Sequence, residues 1–519
     1  MSSPTHAGRL KRHAANWWPA YIVILTAAAL RLSILFATPL VPQTDGGYYL
    51  AQVRSLLGGE GLRFSDTPLL FWFQAGVARL IMWVASLDER SAIIIGVKLV
   101  DAMVPVLAAI PVFALWLRWT VAERRTWFAG LAVAALPALS FGLVKMTGDL
   151  QKNAFALVVF ATAIWSFDTA ARMRSIDACA LAVSTLAVLA LSHVGVFAAA
   201  AVFFVSALLH MQFSDASNAR VLRRRLVPVA FVAICGVGGF YAAAQAVPKL
   251  AALASSLASP LELFSGENVF TRFAAGFSPA AGADAVAVIL AYALVIATAV
   301  VWRRLGLEPV TASTVFGAVV ATAVLAFPLL GGIDGLRLHL MAYLPASVLF
   351  AWVIGRIGAT RAMGVAIGLL ALNLLMVVPL LPQASQPTIA EPSYPELLSL
   401  AERVGDSERT VVVARHGLEW WAAWAFDADI VPTVGATPDL WQRYDDVLLL
   451  QEVKVPAPAS GPRRGRGTAE YIAGGAVVDG TESIHEGEWY RLSRASSVIP
   501  LGEEFEGVQP SGTAPRPRP

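Results

Sequence analysis

The feature that most limits what this chain can fold into is a series of apolar runs over its first 382 residues. They lie near 17–40, 68–87, 93–117, 127–144, 150–167, 177–192, 195–209, 227–246, 285–302, 309–328, 338–355 and 362–381. A bilayer takes about 20 apolar residues per spanning helix, and several of these runs are shorter. Composition points the same way. The chain is 57% hydrophobic and 14% charged, against about a quarter charged in a soluble domain. A multi-pass membrane protein is expected. The first run, from Trp17 to about Leu40, is too long for a signal-peptide core and lacks a clear cleavage site, so it reads as a retained helix. A net charge of +3 is too small to suggest a nucleic-acid partner. Cys179 and Cys235 both fall inside apolar runs, which suits packing and not a disulfide or metal site.

Basic residues set the orientation. Arg9, Lys11 and Arg12 place the N-terminus in the cytoplasm. If 68–87 spanned, Arg118, Arg124 and Arg125 and every later basic cluster would land outside. Those clusters are Arg172 with Arg174, Arg220 with Arg223–Arg224–Arg225, Arg303–Arg304, and Arg356 with Arg361. If it does not span, all become cytoplasmic. So 68-PLLFWFQAGVARLIMWVASL-87 reads as a juxtamembrane or re-entrant helix whose Phe71, Trp72, Phe73 and Trp83 suit an interface. About 11 spanning helices remain. The fold class is an all-α polytopic membrane domain over 1–382, then a small extracytoplasmic α/β domain over 383–508 and a disordered tail, 509–519. The α/β expectation rests on strand-like 410-TVVVA-414, 446-DVLLLQ-451 and 489-WYRLS-493, and on helical 416-HGLEWWAAWAF-426. The Pro/Gly/Arg segment 455-VPAPASGPRRGRGT-468 reads as a loop within it.

The outer face then collects the chemistry. The first outer loop, about 41–92, opens 43-QTDGGYYLAQVRSLLGGEGLRFSDTPLLFW-72 and carries Asp45, Glu60, Asp66 and the Tyr48–Tyr49 pair. TDGG alone makes a good turn, and a carboxylate just past a helix end is normally solvated. But 145-KMTGDLQKN-153 brings Asp149 and Lys145/Lys152 to the same face, 192-SHVG-195 brings His193, and 331-GGIDGLR-337 with 338-LHLMAYLP-345 brings Arg337 and His339. A fourth loop, about 247–284, adds Lys249, Glu262, Glu267 and Arg272. Carboxylates beside cations can deprotonate an acceptor and hold a phosphate. Ordinary interfacial snorkelling explains Lys145 and Lys152 about as well. His193 and His339 read first as turn residues, with a ligand role as the minority reading. Glu60 reads as part of a turn, and Asp66 as a cap for the following helix. Lys98 and Asp101, at i and i+3, are expected to neutralise each other. Carboxylates and histidine could bind a divalent cation, but no compact ligand spacing occurs, so metal dependence stays open.

The first helix carries Arg31, and D-G-G-Y-Y-L-A-Q-x-R-S-L-L-x-G-x-G-L and D-x-P-L-L-F-W follow it. This pattern resembles the first extracytoplasmic loop of the GT-C polytopic glycosyltransferases. More narrowly, it is similar to the protein O-mannosyltransferase and aminoarabinose-transferase branch. The likeness is strong over about 45–75 and weak beyond. It implies a non-spanning helix after the acidic motif, an Asp in the second outer loop and an extracytoplasmic C-terminal domain. It implies an enzyme that moves a sugar from a polyprenyl-phosphate donor to an extracytoplasmic protein, glycan or lipid acceptor; short loops and the lack of a long lumenal insertion lean toward a prokaryotic plasma membrane. By position in the motif, Asp45 matches the base on the acceptor nucleophile, with inversion at the anomeric carbon. Asp149 matches the second-loop acid, which positions the acceptor or a metal ion, and Tyr48 and Tyr49 shape the sugar pocket or anchor at the interface. The lipid phosphate would need cations, Arg337 first, then Lys145 or Lys152; Gly331, Gly332 and Gly335 would let the backbone approach a ligand.

Two other classes compete. A secondary transporter or lipid flippase puts ionisable groups at the midplane, on broken and repeated helices. Here those positions are nearly charge-free. A non-catalytic scaffold would tolerate Asn at Asp45.

Overall fold

The computed structural model describes residues 6–173, 175–214, 264, 267–275, 279–305, 308–405, 409–432, 439–454 and 476–500. Ten of the eleven runs expected to span form helices. The eleventh, 227–246, lies outside the described residues, as do Arg174, the Arg220–Arg225 cluster, Lys249, Glu262, the 455–468 segment and the tail. Among the described residues, eight helical stretches are long and apolar enough to cross a membrane, from Asn16–Leu35 to Ala359–Ala384. Helices dominate because lipid offers backbone N–H and C=O groups no partner, so each segment must satisfy its own. The protein is a multi-pass membrane protein. Ile176–Ser192 and Pro309–Leu325, at 17 residues each, are shorter apolar helices, and so is Leu69–Ala85. In the last of these, Trp72, Phe73 and Trp83 are exposed but Phe71 is fully buried, so Phe71 belongs to a core and not to an interfacial belt.

Local sequence fixes where helices start and change course. Thr126, Ser140 and Ser175 cap the helices that follow them by accepting backbone N–H bonds from Ala129, Leu143 and Ala178. Pro105 opens a 3-10 turn, Pro105–Ala108, that joins Glu89–Met103 to Ala109–Trp119. His193 breaks the chain between Ile176–Ser192 and Val194–Ser214.

The described residues fall into two compact units. Among the described residues, one takes those within 6–34, 101–214 and 264–382, the other those within 35–100 and 383–500. The second unit contains a five-stranded sheet: β1 Thr410–Ala414, β2 Asp429–Pro432, β3 Asp446–Glu452, β4 Ala476–Glu486 and β5 Tyr490–Pro500, in the order β2-β1-β3-β5-β4. β1 pairs parallel to β2 and β3; β5 runs antiparallel to β3 and β4. Val411, Val413, Val431, Leu440, Val447, Leu449 and Ala495 form one core cluster, with Trp441 and Tyr444 against it. Val412, Leu448 and Leu450 are buried too, as expected of parallel strands covered on both faces.

The polar stretch after the first apolar run belongs to this unit. Gly46–Leu57 is a helix that packs on Leu418–Ala425. Gln43 donates from its backbone N–H to the Gln386 carbonyl (2.8 Å) and accepts from Thr388 Oγ1 (2.8 Å). Arg63 donates to the carbonyls of Ala423, Phe426 and Ala428 (2.7, 3.0 and 2.5 Å), closing the C-terminal end of the Leu418–Ala425 helix. Segments more than 350 residues apart therefore share one core.

Candidate functional site

Asp45 is the N-cap residue of Gly46–Leu57 and is half-buried. The expected Gly46–Gly47 turn is instead the first turn of this helix, and glycine is needed for packing. A Cβ on Gly46 would lie 2.4 Å from the Val41 carbonyl oxygen, and one on Gly47 would lie 2.6 Å from the Trp420 backbone. Below them Tyr48 and Tyr49 are buried, at 7% and 2% exposure. The Tyr48 ring stacks on Phe64 (5.8 Å) and meets Phe71 and Trp420 edge-on (5.7 and 5.0 Å). Its hydroxyl donates to Asp66 and accepts from Gln52 Nε2 (3.2 Å). Burial, then the Asp66 carboxylate, hold the Tyr48 phenol well above its ordinary pKa, so it stays a protonated donor. Asp66 also accepts from the Thr67 N–H (2.7 Å); the N-cap position of Leu69–Ala85 is held by Pro68, which makes no side-chain cap bond.

In the other unit, Asp149 sits in the short link between Phe141–Lys145 and Gln151–Met173. That link is held by a buried ion pair. Arg31 Nη2 meets Asp101 Oδ1 at 2.7 Å, with both side chains at 1% exposure or less. Arg31 also donates through Nε to the Asp101 carbonyl (2.9 Å) and through Nη1 to the Leu143 carbonyl (2.9 Å) and Thr147 Oγ1 (2.7 Å). Asp101 Oδ2 accepts from the Gly148 N–H (2.8 Å). So every available oxygen and most guanidinium hydrogens are used, which is what a buried pair requires. The expected Lys98–Asp101 pair is not formed. Lys98, also buried, donates to the Thr38 carbonyl (2.6 Å) and lies 5.1 Å from the Phe36 ring.

A small cavity in this unit is lined by Glu267, Arg272, Asp284, Leu330, Gly332 and His339. Arg272 Nη2 donates to the Gly332 carbonyl (2.9 Å), while its buried Nε makes no hydrogen bond. His339 Nε2 lies 2.9 Å from the Phe327 carbonyl. Lys145 Nζ holds both oxygens of Asp284, at 2.8 and 2.7 Å. Among the described residues, no group of three or more His, Cys, Asp or Glu could hold a metal ion.

No protein-family model and no curated protein matches the chain. Solved structures do. ArnT from Cupriavidus metallidurans in the apo state is 12% identical, with a TM-score of 0.53 over 93% of this chain and 98% of that one. ArnT bound to undecaprenyl phosphate is 12% identical, with a TM-score of 0.50 over 94% and 99%. The Archaeoglobus fulgidus oligosaccharyltransferase, in complex with Zn and sulfate, is 14% identical, with a TM-score of 0.51 over 82% and 67%. The chain has the GT-C fold.

Within this GT-C fold the expected site residues divide between the two units. Asp45, Tyr48 and Tyr49 lie in the unit with the sheet; Asp149, Lys145, Lys152, His193, Arg337 and His339 lie in the other. His193 Nδ1 accepts the Val196 N–H (3.2 Å), so its first job is to cap Val194–Ser214. Residues 331–337, expected as a loop, are mostly helix: Gly332–Met341, with Arg337 exposed on it. Gly335 is there for packing, since its Cβ would lie 2.7 Å from the Leu330 carbonyl carbon. Lys152 and Asp149 are half-buried. Sequence reasoning named Arg31 without a role and misassigned Asp101, because the lysine one turn earlier in the helix offered a nearer partner. It missed Asp284, whose only signal was a lone carboxylate at the edge of the 285–302 apolar run.

Proposed function

We propose that the protein is a membrane glycosyltransferase moving a sugar from a polyprenyl-phosphate-linked donor to an extracytoplasmic acceptor, with inversion at the anomeric carbon. The observation that carries this proposal is the fold shared over nearly the whole chain with ArnT, one of whose structures holds undecaprenyl phosphate. The GT-C fold and the acidic motif at the start of Gly46–Leu57 support each other, because one comes from tertiary structure and the other from sequence. The N-terminus is cytoplasmic and the sheet-bearing unit extracytoplasmic, in line with the Arg and Lys distribution.

Asp45 is the base. An ionised carboxylate at a helix N-terminus can take the acceptor's proton as the acceptor oxygen or nitrogen bonds to the anomeric carbon. The lipid phosphate leaves from the opposite face with the electron pair of the broken C–O bond. Asp149 positions the acceptor, on a link that Arg31 and Asp101 stiffen. Arg337, exposed, and Arg272, which lines the cavity with its Nε 4.0 Å from Glu267 Oε2, are the cations for the phosphate. Lys145 reaches a phosphate only by leaving Asp284. Purified protein in lipid vesicles, given radiolabelled polyprenyl-phosphate sugars and an envelope extract, tests this. Asp45→Asn should lose transfer by about 100-fold or more with folding intact. Wild-type transfer by Asp45→Asn would remove the base, and no transfer by wild type across a broad donor panel would sink the reaction.

A further inference from the structure

Arginines of the unit that carries Asp149 are held unequally. Arg118 Nη1 meets Asp168 Oδ2 at 2.7 Å, and Arg172 meets Asp168 at 2.9 Å and Glu308 at 2.6 Å. These two have carboxylates. Arg125 donates to the carbonyls of Thr120 (2.9 Å) and Leu117, which closes the C-terminal end of Ala109–Trp119. Arg356, just past Tyr343–Ile354, has neither. Among the described residues nothing bonds its side chain, and its Nε is buried without a partner. The rest of its guanidinium is only partly enclosed.

The surroundings of Arg356 add a second cation and no free anion. Arg124, exposed, donates through Nη1 to the Arg356 carbonyl at 2.8 Å. Of the charges acting on Arg356, the repelling Arg124 outweighs the attracting Glu308, and Glu308 is already bonded to Arg172 and Thr311. Glu123 is exposed and bonds none of these arginines. The two turns are seated on each other: a Cβ on Gly355 would lie 2.2 Å from Thr120 Oγ1, a buried hydroxyl that itself has no hydrogen-bond partner. Two like charges, one partly desolvated, are thus held side by side without a counter-ion, an arrangement that favours an oxyanion.

Their position says which oxyanion. The links 120–126 and 355–358 join stretches long and apolar enough to cross a membrane, Glu89–Trp119 to Trp127–Lys145 and Gly335–Ile354 to Ala359–Ala384. The arginines therefore stand where apolar helix gives way to water, at the depth of lipid headgroups. A phosphodiester there presents oxygens that the guanidinium fork matches. A headgroup with net negative charge suits two arginines, whereas a zwitterionic one brings a cation that they repel.

We propose that Arg124 and Arg356 form a site for the phosphate of an anionic phospholipid headgroup. The site stands apart from the glycosyl-transfer reading and uses none of its residues. Its test takes the full chain in detergent, stripped of lipid, with phosphatidylglycerol, phosphatidylcholine or inorganic phosphate as the probe. Native mass spectrometry should show a first phosphatidylglycerol held more tightly than later ones, and phosphatidylcholine held about fivefold more weakly. Arg124→Gln and Arg356→Gln should each weaken that first lipid about fivefold, the worth of one arginine beside an anionic headgroup. Arg356→Lys keeps the charge and should stay within about twofold of wild type, which separates lost binding from lost folding. Arg361→Gln, at an exposed arginine early in Ala359–Val377, should leave the first lipid unchanged. Equal weakening by Arg361→Gln would mean diffuse attraction and overturns the site, as does equal binding of phosphatidylcholine or wild-type binding by Arg356→Gln. Displacement of the lipid by inorganic phosphate would assign the site to the free anion and overturn the lipid.

Discussion

The links carrying Asp45 and Asp149 are held by opposite means. The Asp149 link hangs on charge: Arg31 and Asp101, both buried, together engage Leu143, Thr147 and Gly148. The Asp45 segment hangs on contact: glycines that let backbone meet backbone, a nest of Tyr48, Phe64, Phe71 and Trp420, and Arg63 closing a helix end. A buried ion pair is stiff but fails as a unit, since losing one partner strands the other charge. A packed aromatic core fails in proportion to the volume disturbed. The two acids should therefore respond very differently to single substitutions.

The largest expected effect breaks the charged half. Arg31→Met leaves Asp101 buried without its cation and should cost about 3–5 kcal/mol, read as a fall in thermal unfolding temperature in detergent. Adding Asp101→Leu should recover much of that loss, because the stranded charge is gone. If the single variant unfolds like wild type, the ion pair is not what holds the Asp149 link.

A smaller effect probes the packed half. Gly47→Ala must push a methyl into the Trp420 backbone and should cost about 1–3 kcal/mol. Gly76→Ala, in a helix with nothing within 4 Å, should be neutral or stabilising by up to about 1 kcal/mol. Equal behaviour of the two in thermal unfolding would show that close approach does not decide the first.

The smallest effect lies on the sheet. Tyr444 donates to Asp429 Oδ2 at 2.8 Å, and burial, then Asp429, push its phenol up to about 12. Its folded pKa is raised above the unfolded value of 10.0, so its contribution is complete below pH 10 and lost as pH rises toward 12. Absorbance titration should place this tyrosine among the last to ionise. Tyr444→Phe should remove that late step and cost about 1 kcal/mol. A Tyr444 that ionises at its ordinary pKa would sink the assignment.

Much of the fold was legible because it rests on local chemistry. Apolar length announced the membrane helices, and short continuous apolar runs announced β1 at 410–414 and β3 from 446. The helix break at His193 was legible too. The candidate site was legible only as a set of residue types. Lys98 and Asp101 read as a pair because sequence shows the nearest ionisable neighbour; the fold sends one to Thr38 and the other to Arg31, 70 positions away. Tyr48 and Tyr49 look like surface aromatics in a polar stretch, yet they are core residues once Phe64, Phe71 and Trp420 close over them.

By itself, then, the sequence determined that the chain must lie in a bilayer, that its helices are set by apolar length and their ends by Ser, Thr and Pro, and that a small α/β region follows. Hydrophobicity, capping and periodicity act over a few residues and survive translation into one dimension. Tertiary structure alone decided which carboxylate answers which cation and that residues 35–100 complete the unit begun at 383. Those outcomes depend on desolvation and on contacts between distant segments, and both exist only after the chain has closed on itself.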